Sequence, residues 1–284
     1  MKKNNLMQHK LLLILPTILL VATSCTKQID TTKPYKVSSN AEWVQELAEK
    51  NPLKDSANYT SVYFRFDTII NDFEVNGIFY PSYFPEYGWD AHENGVYLYF
   101  HSLNTGKEYC YTTWDNTCGC FSSYFMSINI TNIVSSKPFD GFKNGDAYIF
   151  RYNTTIDTTS DNSLLPYAEY QFYDADFDGE DELIIGSYVG GPHGSPCYDI
   201  YDMTDSRLVQ KRADDGFSSF WLDSDSEFDS KNKQIRNTIY EGAYAWGEYI
   251  YNVNEEGQYH LLCHMYFVSD FDHNIQHSDT TFYK

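Results

Sequence analysis

The segment Asp174-Ala175-Asp176-Phe177-Asp178-Gly179-Glu180-Asp181-Glu182-Leu183 constrains this chain most, because it places a tight acidic turn between two stretches that read as strands. Upstream, Tyr167 to Tyr173 is rich in aromatics with rough alternation, and downstream Leu183 to Val189 is β-prone. The turn carries side-chain oxygens at relative positions 1, 3 and 5 (Asp174, Asp176, Asp178), a carbonyl at position 7 (Glu180) and a carboxylate at position 9 (Glu182). Gly179 supplies the bend. Calcium takes six to eight hard oxygen ligands at ~2.3–2.6 Å, and this spacing lets one short loop curl around it, with Glu182 closing the site directly or through water. An EF-hand is excluded: its position 12 requires a bidentate Glu between two helices, and that position here is Ile185, inside an apolar run.

Five other carboxylates crowd the loop beside Asp174 within nine residues, and no Lys or Arg lies between Arg151 and Arg207. Without a cation their repulsion opposes closure, so calcium is the expected cofactor. At free calcium ten times the dissociation constant, binding to the folded state alone adds about 1.4 kcal/mol of stability.

The motif Asp-x-Asp-x-Asp-Gly-x-x-Glu-Leu-Ile-Ile-Gly with its following strand pair resembles the FG-GAP calcium hairpin of integrin-type β-propellers. It also resembles the calcium-binding immunity lipoproteins that inhibit lysozyme-like effectors of bacterial type IV secretion systems. The likeness spans roughly residues 140 to 262 and carries over at Asp174, Asp176, Asp178 and Glu182, with Glu in place of the more frequent Asp at the last. It implies a β fold, a bound calcium ion and a protein partner. The chain has room for about four propeller blades, so a seven-bladed wheel is excluded.

The N-terminus has the layout of an export signal: Met1-Lys2-Lys3, the apolar run Leu11 to Val21 interrupted by Pro16, then Ala22-Thr23-Ser24-Cys25. That run is too short to cross a bilayer, which takes about twenty residues. The small residues before Cys25 resemble a lipobox, with Ala22 where bacterial lipoproteins more often have Leu. The resemblance implies cleavage before Cys25, acylation (palmitate) of Cys25, and an outer-membrane lipoprotein tethered through residues 25–39. Loss of Lys2, Lys3 and Lys10 with the signal leaves 17 basic against 40 acidic residues, a net charge of −23. That balance excludes nucleic acid, whose phosphates need a basic surface, and anionic headgroups with it. Cationic proteins, calcium and neutral glycans are the permitted ligands.

The remaining expectation is an all-β, mostly antiparallel domain, propeller-like or a meandering sheet, with one short helix. Asn40 is placed to cap that helix, Ala41 to Lys50, with Trp43, Val44 and Leu47 on one face. Thereafter short strands rich in Tyr, Phe, Val and Ile alternate with turns about every ten residues. Three hairpins share an aromatic strand, a polar turn and a return strand: Val96–Tyr99 across Asn104-Thr105-Gly106, Tyr198–Tyr201 across Thr204-Asp205-Ser206, and Tyr249–Tyr251 across Asn254–Gly257. The division expected is 1–24 signal peptide, 25–39 tether, 40–136 one β-rich half and 137–284 a second half carrying the acidic turn.

Besides Cys25 there are Cys110, Cys118, Cys120, Cys197 and Cys263, an odd number. In an oxidising envelope Cys110 is expected to pair with Cys118 or Cys120, and Cys197 with Cys263. Zinc on these cysteines and His101 lacks a second knuckle. His260 and His264 would suit zinc on a helix, but on a strand they are about 13 Å apart. Glu241 and Glu248, flanking Tyr244 and Trp246, are the best acid pair for glycoside hydrolysis, and turn and strand-edge charges describe them better. No Gly-x-Ser-x-Gly elbow, Walker loop or Cys/His nucleophile occurs, and no turnover is expected. The recognition residues proposed are His193 in the Gly- and Pro-rich loop 190–196, together with Tyr244 and Trp246, which also suit stacking on sugar rings.

Overall fold

The computed structural model describes residues 35–57, 59–81, 95–114, 142–152, 170–190, 195–213, 222–223, 226–240, 244–269 and 275–283. Cys25, Cys118, Cys120, His193, Glu241 and the expected boundary at 136/137 lie outside them. All the described residues belong to one compact unit, Thr32–Lys284.

Among the described residues sixteen strands form three sheets, almost wholly antiparallel as the turn spacing predicts, beside one helix. The first sheet has the order β1 (Tyr35–Val37), β6 (Ala147–Phe150), β2 (Val62–Phe66), β3 (Phe73–Tyr80), β4 (Gly95–Ser102), β5 (Glu108–Thr113). Among the described strand pairs only β2 and β6 run parallel, and an isolated parallel bridge joins Ala213 to Tyr259. The second sheet follows the order β10 (Arg207–Gln210), β9 (Ser195–Thr204), β8 (Glu182–Gly190), β7 (Tyr170–Tyr173), with β11 (Leu222–Asp223) also on β9. The third is a meander of β12 (Glu227–Asp229), β13 (Gln234–Tyr240), β14 (Ala245–Val253), β15 (Tyr259–Ser269) and β16 (Ile275–Phe282). The three expected aromatic hairpins form β4–β5, β9–β10 and β14–β15, one in each sheet.

Side-chain alternation orders these sheets into layers. Phe64, Phe66, Val96, Leu98, Phe100 and Phe150 of the first sheet pack against Tyr170, Leu183 and Ile185 of the second. Ile184, Tyr198 and Ile200 leave the opposite face of the second sheet and pack against Ile235, Tyr251, Tyr259 and Leu261 of the third. The second sheet is therefore buried on both faces. That is why Leu183-Ile184-Ile185 is continuously apolar instead of alternating. Where the rings of Phe64 and Phe150 meet edge to face at 5.4 Å, the aromatic-rich composition becomes core packing.

The outer face of the first sheet is covered by α1 (Glu42–Lys50) through Val44 and Leu47, beside Tyr63, Ile78 and Tyr80. Its N-cap is Ala41, without a side-chain cap, so Asn40 does not take the expected role; its backbone N–H instead donates to Ser38 Oγ at 3.2 Å. The helix stops at Asn51, whose buried amide donates to Ser61 Oγ at 2.9 Å and accepts from Tyr80 O–H at 2.6 Å.

Neither expected disulfide at a described thiol forms: Cys110 and Cys263 are both free. Cys197 lies on β9 opposite Tyr188, whereas Cys263 lies on β15 opposite Ile250, so the two belong to different sheets.

Candidate metal centre

The acidic turn joins β7 to β8, with Tyr173 opposite Glu182 as the last register pair. Within it, Phe177 (φ 62°) and Gly179 (φ 96°) take the left-handed conformation that reverses the chain. For Phe177 this costs roughly 1–2 kcal/mol, and its ring is repaid by packing near Phe228 at 6.5 Å.

The loop's amides point inward at its carboxylates. Asp178 N–H donates to Asp174 Oδ1 at 3.0 Å and to Asp176 Oδ1 at 3.2 Å, and Gly179 N–H donates to Asp174 Oδ2 at 3.2 Å. Glu182 Oε2 accepts from Ala175 N–H at 2.8 Å and Asp176 N–H at 3.3 Å, which ties the end of the turn to its start. Asp178 turns its Oδ1 to Glu180 N–H at 2.8 Å. From the first sheet, Asn71 Nδ2 donates to Asp181 Oδ2 at 3.2 Å across the layer boundary.

Asp174, Asp176 and Glu182 bring carboxylate oxygens within 4.8 Å of one another. Two oxygens on one calcium ion are at most ~5 Å apart, so this trio fits a hard cation; Asp178 does not join it in this geometry. Asp176 and Glu182 are only 3% and 5% exposed. Burial, and after it the charge of Asp176, pushes the Glu182 carboxyl up to about 8.

One cation does reach it, and the local sequence gave no sign of it. Lys211, which follows β10 and is only 10% exposed, forms an ion pair with Asp176 Oδ2 and a second with Asp202 Oδ1 at 3.0 Å. Its ammonium also donates to the Gly257 carbonyl at 3.4 Å and lies 6.0 Å from the Tyr259 ring centre. Burial works against this charge, but the hydrogen bonds to Asp176 and Asp202 outweigh it and hold the ammonium above its ordinary range. Thus the expectation that nothing basic offsets the loop is corrected: between Arg151 and Lys231 the only cations are Arg207, Lys211 and Arg212, and the fold spends one here. That scarcity was the available signal.

The other sequence-derived residues sit elsewhere. Trp246 stacks on Phe267 at 5.5 Å, and Tyr244 is 42% exposed. Both lie toward the end of the third sheet away from the acidic turn, since Trp246 and Val253 are about 23 Å apart along β14. Glu248 is opposite Thr238 and pairs with Arg236 at 3.9 Å. A bulge opposite Ile250/Tyr251 inserts one residue between the two histidines, so His260 and His264 leave opposite faces of β15. His264 stacks on Tyr249 at 4.2 Å and His260 lies 3.1 Å from Asn254 Nδ2.

No family model matches the chain, and no curated protein matches it. A solved structure described as a Xanthomonas type IV secretion system related protein is similar, with a TM-score of 0.39 and 12% identity, covering 86% of this chain and 92% of that one.

Proposed function

We propose that this chain is an exported, lipid-anchored binding protein whose β7–β8 turn holds a structural calcium ion, and that it acts without turnover on a cationic partner. The observation that carries the calcium reading is the convergence of Asp174, Asp176 and Glu182 on one buried point with oxygens within 4.8 Å. A bound calcium ion supplies two positive charges to that point. The expected donor set also includes the Glu180 carbonyl and Asp178, whose Oδ1 accepts from Glu180 N–H here and must turn to join the trio. Equilibrium dialysis of chelator-stripped protein against calcium tests this: about one ion per chain is expected, and no binding at millimolar calcium removes the reading.

A net charge of −20 for the whole chain favours a cationic partner by steering its encounter. A lysozyme-like peptidoglycan hydrolase is the partner we infer, in line with the motif's resemblance to immunity lipoproteins, at an outer membrane reached through acylation of Cys25. Inhibition at a defined stoichiometry is expected, and no inhibition across lysozyme classes defeats the assignment. The second reading, a glycan-binding accessory lipoprotein, is favoured by the Trp246–Phe267 stack beside the exposed Tyr244. It requires carbohydrate binding that is lost in Trp246→Ala. The pairing of Glu248 with Arg236 supports a structural use of that carboxylate rather than a hydrolytic one.

A further inference from the structure

Lys211 is an expensive residue to place where it is. A lysine loses rotamer freedom and hydration on burial, and such groups are retained when every donor is satisfied. Its three N–H donors have three acceptors: Asp176 Oδ2, Asp202 Oδ1 and the Gly257 carbonyl. These come from the acidic turn, from β9 and from the β14–β15 turn, two of the three sheets. Gly257 has a φ of +70° and approaches so closely that a Cβ there would meet Asp176 Oδ2 and, at 3.0 Å, Lys211 Nζ. The ammonium therefore sits on a carboxylate of the cation-binding trio and not at its periphery.

Resting on the calcium reading above, we propose that Lys211 is a built-in counter-ion that competes with calcium for Asp176. In the absence of the ion it neutralises Asp176 and keeps the turn docked against Gly257. With the ion bound, the same ammonium stands beside two further positive charges and weakens their binding. Lys211 thereby makes the fold survive without metal and sets the calcium affinity lower than the carboxylates alone would give. It is a positioning residue for the turn and a determinant of how much calcium the protein needs.

Lys211→Met, with Lys211→Gln as its polar counterpart, separates this role from a plain structural one. Each purified protein is stripped with chelator, titrated with calcium by calorimetry, and melted in chelator and in saturating calcium. Removing the ammonium is expected to tighten calcium binding at least about tenfold, the effect of a unit charge about 5 Å from a divalent ion even at the dielectric of water. The melting temperature should fall in chelator and recover most of the loss in calcium. A salt bridge that only braces the fold would lower both melts equally and leave the affinity unchanged, and that result overturns the proposal. Failure of both variants to fold in saturating calcium overturns it too, because calcium could then not take over the lysine's role. If the parent binds no calcium at millimolar concentration but the variants do, the calcium reading of the parent falls and the counter-ion inference stands. If the parent binds and the variants bind no more tightly, the inference falls alone. If none binds, both fall.

Discussion

Substitution of Gly257 by alanine isolates the contact between the third sheet and the acidic turn. Two glycines share nearly the same left-handed backbone, Gly257 at φ +70° and Gly106 at φ +68°, but differ in surroundings. Around Gly106, in the turn between β4 and β5, a Cβ would meet nothing within 4 Å. At Gly257 it would overlap Asp176 Oδ2 and press on Lys211 Nζ. Both alanines pay roughly 1–2 kcal/mol for the backbone conformation. Only Gly257→Ala must also push a buried, hydrogen-bonded charge off its partner, which adds about 1–3 kcal/mol. The expected totals are therefore about 1–2 kcal/mol for Gly106→Ala and about 2–5 kcal/mol for Gly257→Ala. Urea unfolding followed by tryptophan fluorescence measures both, and the gap should correspond to roughly 2–4 °C in melting temperature per kcal/mol. Equal losses in the two variants, within about 0.5 kcal/mol, would refute the claim that the turn and the acidic loop are tightly docked.

Asp176→Asn should abolish most of the calcium-dependent stabilisation, which for the parent at one hundred times its dissociation constant amounts to about 2.7 kcal/mol; an unchanged calcium-dependent rise in melting temperature contradicts the ligand assignment. The pH dependence in chelator follows from Glu182, whose folded value of about 8 lies above its ordinary 4.5. A raised acid favours the protonated fold, so its stabilisation is complete below about 4.5 and is lost as pH rises toward 8. Metal-free protein should thus melt lower at pH 8 than at pH 5.5, with calcium narrowing the difference; a flat profile in chelator argues against burial of that carboxyl. Cys110 should react with a thiol reagent in the native state, slowly because burial and Glu108 raise its thiol to about 11, whereas buried Cys263 should react only on unfolding. Equal labelling of both under native conditions would contradict the packing of β15.

Lys211 also shows how a local reading goes wrong at a charged site. Counting charges along the chain from Arg151 to Arg207 finds none to balance the loop, yet the balancing ammonium lies 35 residues beyond Asp176. Its path runs out along β8, back along β9 and into β10, and this brings Lys211 beside the hairpin's own turn. The expected Cys197–Cys263 bridge also depended on the placement of distant strands. Cys197 and Cys263 both read as strand cysteines, and nothing in their neighbours says that the strands belong to different layers. Similarly, the four-residue spacing of His260 and His264 suggests a common face until the bulge inverts it.

What the chain's order of residues determined was local: strand after strand from alternating aromatics, the turns between them, a helix ending at Asn51, and a loop whose carboxylate spacing presents Asp174, Asp176 and Glu182 to one point. Those features depend on neighbours within about ten residues, where backbone sterics and side-chain period leave few choices. Which sheets stack, that Leu183 and Ile185 face one core while Ile184 faces another, that β6 lies parallel beside β2, and that Lys211 and Gly257 close on Asp176 were decided by the tertiary structure. These are pairings between distant segments, set by burial of whole faces against one another, and no short stretch of sequence contains both partners.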